Sequence, residues 1–236
     1  GEVMRLQRMP GAKPEHPLML VADSPTDYLK LRALAASLEA AASPRTPVVV
    51  TPRSPREIRI EDPALEVFAA PALEICLNVG EARGAELIAQ VLQRFDTQLA
   101  ELEPAAVAVI GGGPAMLACA LASAERSIPI LHLDGGLREA DSAGHAAALI
   151  DRLADTVFTR SSAESYVLSR EGVQPDRVRC AGSLFGALLQ GLDPLRIDAV
   201  AVLKRAGIGA SSIDPSRAFG VMTVSGRQGK PLARQL

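Results

Sequence analysis

Residues 128–155 read IPILHLDGGLREADSAGHAAALIDRLAD, and this stretch decides the fold. Its apolar start predicts a buried strand, and Asp134-Gly135-Gly136 predicts a turn after that strand. The following helical pattern places Leu149, Ile150 and Leu153 on an inner face. In a parallel sheet, ligands bind at the carboxyl ends of the strands. Asp134 therefore either faces a ligand or only caps its own turn, as Asp often does.

Strands and helices alternate on both sides of this stretch. Apolar runs predict strands at 17–22, 48–51, 105–110, 156–159 and 178–181, and helical periodicity predicts helices at 28–38, 81–102, 115–124, 161–171 and 183–189. Alternation with short connections predicts an α/β fold with a doubly wound, Rossmann-like parallel sheet. The charged, Pro-punctuated segment 52–75 holds only short strand-like pieces, and we expect it to cross an edge of the sheet.

The same pattern predicts the domain organisation. Residues 1–16 form a polar leader that we expect to be loose or disordered. Residues 17–192 form the Rossmann-like domain, and 193–216 form a linker helix and loop. Residues 217–236 contain Arg and Lys but no acidic residue. They either start a truncated second domain or form a basic tail.

Composition excludes several classes of partner. The chain has 236 residues, of which 48% are hydrophobic, 3% are aromatic and none is Trp, and its formal net charge is -2. A weakly acidic chain with few aromatic side chains argues against nucleic-acid binding. No apolar stretch reaches the roughly 18–20 residues that cross a membrane, and no signal-peptide core is visible. We therefore expect a cytoplasmic protein without a membrane partner.

Histidines and cysteines do not indicate a metal or cofactor site. The three cysteines (Cys76, Cys119 and Cys180) are widely spaced in apolar runs, which predicts buried reduced thiols. No pair of histidines has metal-ligand spacing. His132 is expected to be a hydrogen-bonded core residue. His145 is either an acid or base near the proposed edge or a solvated residue at a helix start.

Gly111, Gly112 and Gly113 lie between a predicted strand and a predicted helix. Free backbone N–H groups and the helix dipole would favour a phosphate or carboxylate there, although such a Gly run is also common in structural turns. Met116 stands where a dinucleotide fingerprint has its third glycine, and no phosphate-binding Lys-Ser/Thr follows. Arg138 either shares a pocket with Asp134 or forms a structural ion pair with Asp134 or Asp141.

The runs AVAVIGGGPAMLACALASAERSIPILHLDGGLR and LIDRLADTVFTRSSAESYVLSREGVQPDRVRCAGS resemble the N-terminal domain of the non-hydrolysing UDP-N-acetylglucosamine 2-epimerases. The resemblance extends from about Leu18 to Leu236 and is most specific between Ala105 and Gly182. It implies the first half of a GT-B-like two-domain fold, a UDP-sugar ligand, no cofactor and a homodimer. It also implies interconversion of UDP-GlcNAc and UDP-ManNAc by elimination and re-addition of UDP at inverted C2.

Most of the catalytic positions of that family are substituted here. Lys30 keeps a family cation, but Gly112 stands where the family has an acidic residue, and Asp134 replaces a glutamate. Residues 142–147 lack the glutamate, asparagine and arginine of the family loop. The histidine-arginine motif of the second domain keeps at most Arg227.

Three functional hypotheses follow. In the first, the chain is a degenerate epimerase-like protein that binds a nucleotide sugar or a partner with little or no epimerase activity. In the second, it is part of an active UDP-GlcNAc 2-epimerase, with Asp134 as the base and Lys30, Arg138 and Arg227 holding phosphate. In the third, it is an oligomerisation scaffold that forms a homodimer through the helix at 81–102 or its neighbours.

Overall fold

The computed structural model describes residues 4–5, 15–54, 73–138, 142–190 and 201. The chain divides into two units, Gly1–Leu192 and Asp193–Leu236. Every strand and helix given below belongs to the first unit. The predicted linker helix (apart from Ala201), the tail at 217–236 with Arg227, and Asp141 lie outside the described residues.

Among the described residues, eight strands form one sheet in the order β1-β4-β3-β2-β5-β6-β7-β8. They are β1 (Met4–Arg5), β2 (Leu18–Val21), β3 (Pro47–Thr51), β4 (Leu73–Cys76), β5 (Ala106–Ile110), β6 (Ile130–Leu133), β7 (Thr156–Thr159) and β8 (Val178–Cys180). β2 to β8 are parallel, and only β1 is antiparallel to its neighbour. The predicted doubly wound α/β sheet is confirmed.

In the part of the chain that the structure describes, six α-helices connect or follow these strands. They are α1 (Pro25–Ala40), α2 (Gly84–Leu102), α3 (Pro114–Glu125), α4 (Ser142–Leu153), α5 (Ser162–Arg170) and α6 (Leu184–Gln190), and a 3-10 turn at Pro175–Arg177 precedes β8. Within the described ranges, no helix is both long and apolar enough to span a membrane.

Helices cover both faces of the sheet. Met19 and Val21 face a core shared with α2, α3, α4 and α5, whereas Leu20 faces a second core shared with α1. Because both faces are buried, the strands are continuously apolar rather than alternating with polar residues. α3 contains mostly small residues and packs against both α2 and α4.

Segments 73–76 and 4–5 differ from the prediction. β4 is a strand inside the sheet, parallel to β3, whereas the sequence predicted only strand-like pieces there. Glu74 interrupts its apolar run, which hid the pattern. Met4 and Arg5 pair with β4, although the sequence placed them in a loose leader.

Two predictions of burial are wrong. Leu149 is 53% exposed because Ala147, Ile150 and Asp151 form the inner face of α4 and turn Leu149 outward. Cys180 is exposed, whereas Cys76 and Cys119 are buried and all three are free thiols. β8, which carries Cys180, is the last strand of the sheet and has one neighbour.

Candidate functional site

A cleft of about 450 Å³ opens where the order of the strands reverses. β2 pairs with β3 on one side and with β5 on the other. The loops that follow β2 and β5 therefore diverge at the carboxyl ends, which is where doubly wound folds bind ligands. The polar side chains that line the cleft include Asp27, Lys30, Asp134, Arg138 and Arg160.

The first wall of the cleft is the start of α1. The Ser24 side chain caps the helix: its Oγ accepts a hydrogen bond from the Asp27 backbone N–H at 3.1 Å and donates to Asp27 Oδ2 at 2.7 Å. Pro25 occupies the first turn, where it needs no N–H partner. Lys30 follows three residues after Asp27, so the two side chains lie on one face of the helix.

Lys30 joins this wall to the turn after β6. Its Nζ lies 2.9 Å from Asp27 Oδ1 and 2.8 Å from Asp134 Oδ2. Burial lowers the pKa of Lys30, but its hydrogen bonds to Asp134 and Asp27 and their negative charges outweigh burial, so the pKa is raised. Lys30 therefore remains a cation between two carboxylates.

The structure brings Asp134 into the cleft, at the carboxyl end of β6 as predicted from its position after an apolar run. Asp134 is buried and has a φ of +58°, a conformation that costs energy in residues other than glycine. Its side chain contacts Lys30. Asp134 thus both shapes its turn and lines the cleft.

Arg138 also lines the cleft, but its ion pairs differ from those that the sequence suggested. It donates to both carboxylate oxygens of Glu171, at 2.8 and 2.5 Å, and its Nη2 lies 2.8 Å from Asp151 Oδ2. Among the described contacts, Arg138 forms no ion pair with Asp134. Most of the donors of Arg138 are therefore already engaged inside the protein.

His132 is fully buried and hydrogen-bonded, as expected for a core residue. Its Nε2 donates to the Gly111 carbonyl at 2.8 Å, since a carbonyl can only accept. Its Nδ1 lies 2.6 Å from Asp151 Oδ1, within hydrogen-bonding distance. His132 thus connects the end of β5 to α4.

Gly111 and Gly112 line the cleft, and Gly113 precedes α3 without being part of the lining. Gly111 has a φ of +72°, and a Cβ at this position would lie 3.1 Å from Asp27 Oδ2. A larger residue would thus be strained and would crowd the wall formed by α1. The glycine therefore has a structural reason as well as a place at the cleft.

His145 lies outside the lining of the cleft, whereas Arg160 is part of it. His145 is exposed on α4 and does not line the cleft, whereas its helix neighbours Gly144 and Ala147 do. Arg160 directly follows β7; its side chain is 37% exposed and lies 3.6 Å from Glu164. The sequence analysis missed Arg160, although its position after a strand was a usable signal. Among the described residues, no three His, Cys, Asp or Glu side chains cluster as metal ligands.

Similarity to known proteins agrees with this architecture. The chain aligns with a Rickettsia bellii UDP-N-acetylglucosamine 2-epimerase at 20% identity, with a TM-score of 0.70, covering 83% of this chain and 52% of that chain. For the Neisseria meningitidis UDP-GlcNAc 2-epimerase bound to UDP-GlcNAc, the values are 20%, 0.64, 81% and 51%. For the Methanocaldococcus jannaschii enzyme in complex with UDP-GlcNAc and UDP, they are 19%, 0.67, 80% and 53%. No match was found among curated protein sequences.

These structural matches identify the chain as an α/β protein with the fold of the N-terminal part of these epimerases. The family model for UDP-N-acetylglucosamine 2-epimerase matches residues 38–222, and the chain belongs to this family. It spans about half the length of the solved structures that it matches.

Proposed function

We propose that the cleft binds a UDP-sugar and that the chain has little or no epimerase activity. One observation carries the second half of this proposal. Asp134 stands where the resemblance implies a catalytic glutamate, and its carboxylate is held at 2.8 Å by the Lys30 ammonium. A general base must reach the proton that it takes from the substrate, and this carboxylate is directed at Lys30 instead, as the carboxylate of Asp27 is.

The other charged residues of the cleft also argue against efficient catalysis. Asp27 pairs with Lys30, and Arg138 pairs with Asp151 and Glu171. Inversion at C2, which the resemblance implies, needs a base and an acid on opposite faces of the sugar. Among the described residues that line the cleft, the two carboxylates, Asp27 and Asp134, bind the same Lys30 ammonium, so they lie side by side rather than on opposite faces of a sugar.

Anion binding has separate support. The first residues of α1, α3, α4 and α5 lie within two positions of residues that line the cleft, so the partial positive charges of four helix N-termini lie near it. Arg160 is partly exposed and lies 3.6 Å from Glu164, a loose pair that a phosphate can replace. Two of the similar structures contain UDP-GlcNAc, and this supports a diphosphate nucleotide as the ligand.

Thermal shift and calorimetry with UDP, UDP-GlcNAc and UDP-ManNAc test the binding, because a ligand of the folded state raises the melting temperature. We expect a shift with all three ligands, and no interconversion of the two sugars in an epimerase assay. Arg160→Gln should reduce the shift, whereas Arg170→Gln, at the exposed opposite end of α5, should not. Absence of any shift at millimolar ligand would refute the binding site.

The half-length match favours a second candidate, in which another polypeptide segment completes an active UDP-GlcNAc 2-epimerase. In this case Asp134 is the general base, and Lys30, Arg138 and Arg227 hold phosphate. The same epimerase assay separates the two candidates: turnover that Asp134→Asn abolishes would support the second and overturn the first.

A further inference from the structure

Asp151 is a buried carboxylate that does not line the cleft. It lies on α4 with no exposed side-chain surface. Burial raises its pKa, but hydrogen bonds and charge from His132 and Arg138 outweigh burial, and the pKa is lowered. Replacing such a buried charge network with apolar residues often leaves stability unchanged or improves it. Stability alone therefore does not explain this carboxylate.

The three described contacts of the Asp151 carboxylate all come from the segment that contains Asp134. Oδ1 contacts His132 Nδ1 at 2.6 Å, and Oδ2 accepts from the Gly136 backbone N–H at 3.2 Å and from Arg138 at 2.8 Å. One carboxylate thus holds the chain two residues before and two residues after Asp134. Through His132 it also reaches the Gly111 carbonyl on the neighbouring loop.

The turn lies directly on this carboxylate. A Cβ on Gly135 would lie 2.6 Å from Asp151 Oδ1 and 2.2 Å from Val157 Cγ1. Such close packing allows the turn little movement, and Asp134 keeps its strained backbone at φ +58°. The contact between Asp134 and Lys30 depends on this conformation, because it sets where the side chain leaves the backbone.

We propose that Asp151 is a positioning residue of the cleft, which holds the Asp134 turn, Arg138 and, through His132, the Gly111 carbonyl in place. This proposal rests on the proposed function only in taking the cleft as the binding site. It predicts that losing the Asp151 charge moves Asp134 away from Lys30 while the sheet stays folded.

The reactivity of Lys30 provides a readout that requires no nucleotide. The chain contains four lysines, at positions 13, 30, 204 and 230, so acylation with acetic anhydride can be followed at each one by mass spectrometry. In the wild-type protein, Lys30 is largely buried and paired with two carboxylates, which slows acylation. The other three lysines are internal references for the reagent.

Asp151→Asn should raise the acylation rate of Lys30 several-fold without changing the reference lysines. Ile150→Val is the matched control, since Ile150 is buried next to Asp151 on α4 and the substitution removes one methyl group without changing the carboxylate that contacts the turn. Equal Lys30 rates in the two variants would overturn the proposal.

If Asp151→Asn does not fold, His132→Gln replaces it, because its amide cannot bridge Asp151 and Gly111 together. A folded His132→Gln with the Lys30 rate of Ile150→Val would also overturn the proposal. Failure of UDP to bind would not alter these outcomes.

Discussion

At the residue scale, the surroundings of Glu74 disfavour the ionised form of its carboxyl group. It is buried on β4, and burial raises its pKa even though Tyr28 donates a hydrogen bond to it and Arg32 lies nearby. A carboxyl group with a raised folded-state pKa stabilises the fold below its unfolded pKa, and this contribution is lost as the pH rises through the folded pKa. We predict that the free energy of unfolding, relative to Glu74→Gln, falls as the pH rises above about 4.3, the ordinary pKa of glutamate. Urea unfolding of both proteins at each pH measures this difference. A difference that does not change with pH would contradict the prediction.

The sequence identified single residues better than it identified their partners. Asp134 could be predicted because a turn after an apolar run marks the end of a parallel strand. Arg160 follows β7 in the same way, and consistent use of the rule would have found it. The pair of Lys30 with Asp134 joins residues 104 positions apart, so no local pattern encodes it. Arg138 likewise selects Glu171 and Asp151 only because α4 and the end of α5 come together.

At the element scale, α3 depends on its small residues. Ala120 is fully buried in this helix, which packs against α2 and α4, whereas Ala124, one turn later, is exposed. We predict that Ala120→Leu lowers the free energy of unfolding by roughly 1–3 kcal/mol, because overpacking forces neighbouring side chains out of place. Ala124→Leu makes the same chemical change on the surface and should stay within about 0.5 kcal/mol of wild type. Similar losses in chemical denaturation of the two variants would show that α3 is not tightly packed.

The regular elements were largely predictable, and the irregular ones were not. β7 has the predicted bounds because an apolar run lies between clear polar boundaries. β4 was missed because Glu74 interrupts its pattern, and β1 is too short to have a periodicity. Leu149 shows the limit of one-dimensional patterns, since a charged residue, Asp151, is buried on α4 whereas the apolar Leu149 is exposed.

At the scale of the whole molecule, the chain carries a net charge of -2, whereas positive side chains outnumber negative ones in the lining of the cleft. Four helices begin near it, and its lining carries three cations (Lys30, Arg138 and Arg160) against two carboxylates (Asp27 and Asp134). We predict that the affinity for UDP decreases several-fold as salt rises from about 50 to 500 mM, because ions screen this attraction. Calorimetry with uridine, which lacks the diphosphate, is the control and should show little dependence on salt. An equal salt dependence for both ligands would contradict a field that recognises phosphate.

The pairing of β2 also affects the order of folding. This strand pairs with β3, which follows soon after it, and with β5, which lies much farther along the chain. Contacts between distant segments form slowly, because a long loop must close before they contribute. During synthesis, one side of β2 therefore stays open until β5 has left the ribosome. This interval is when the nascent chain exposes an unpaired, apolar strand to chaperones and to other copies of itself.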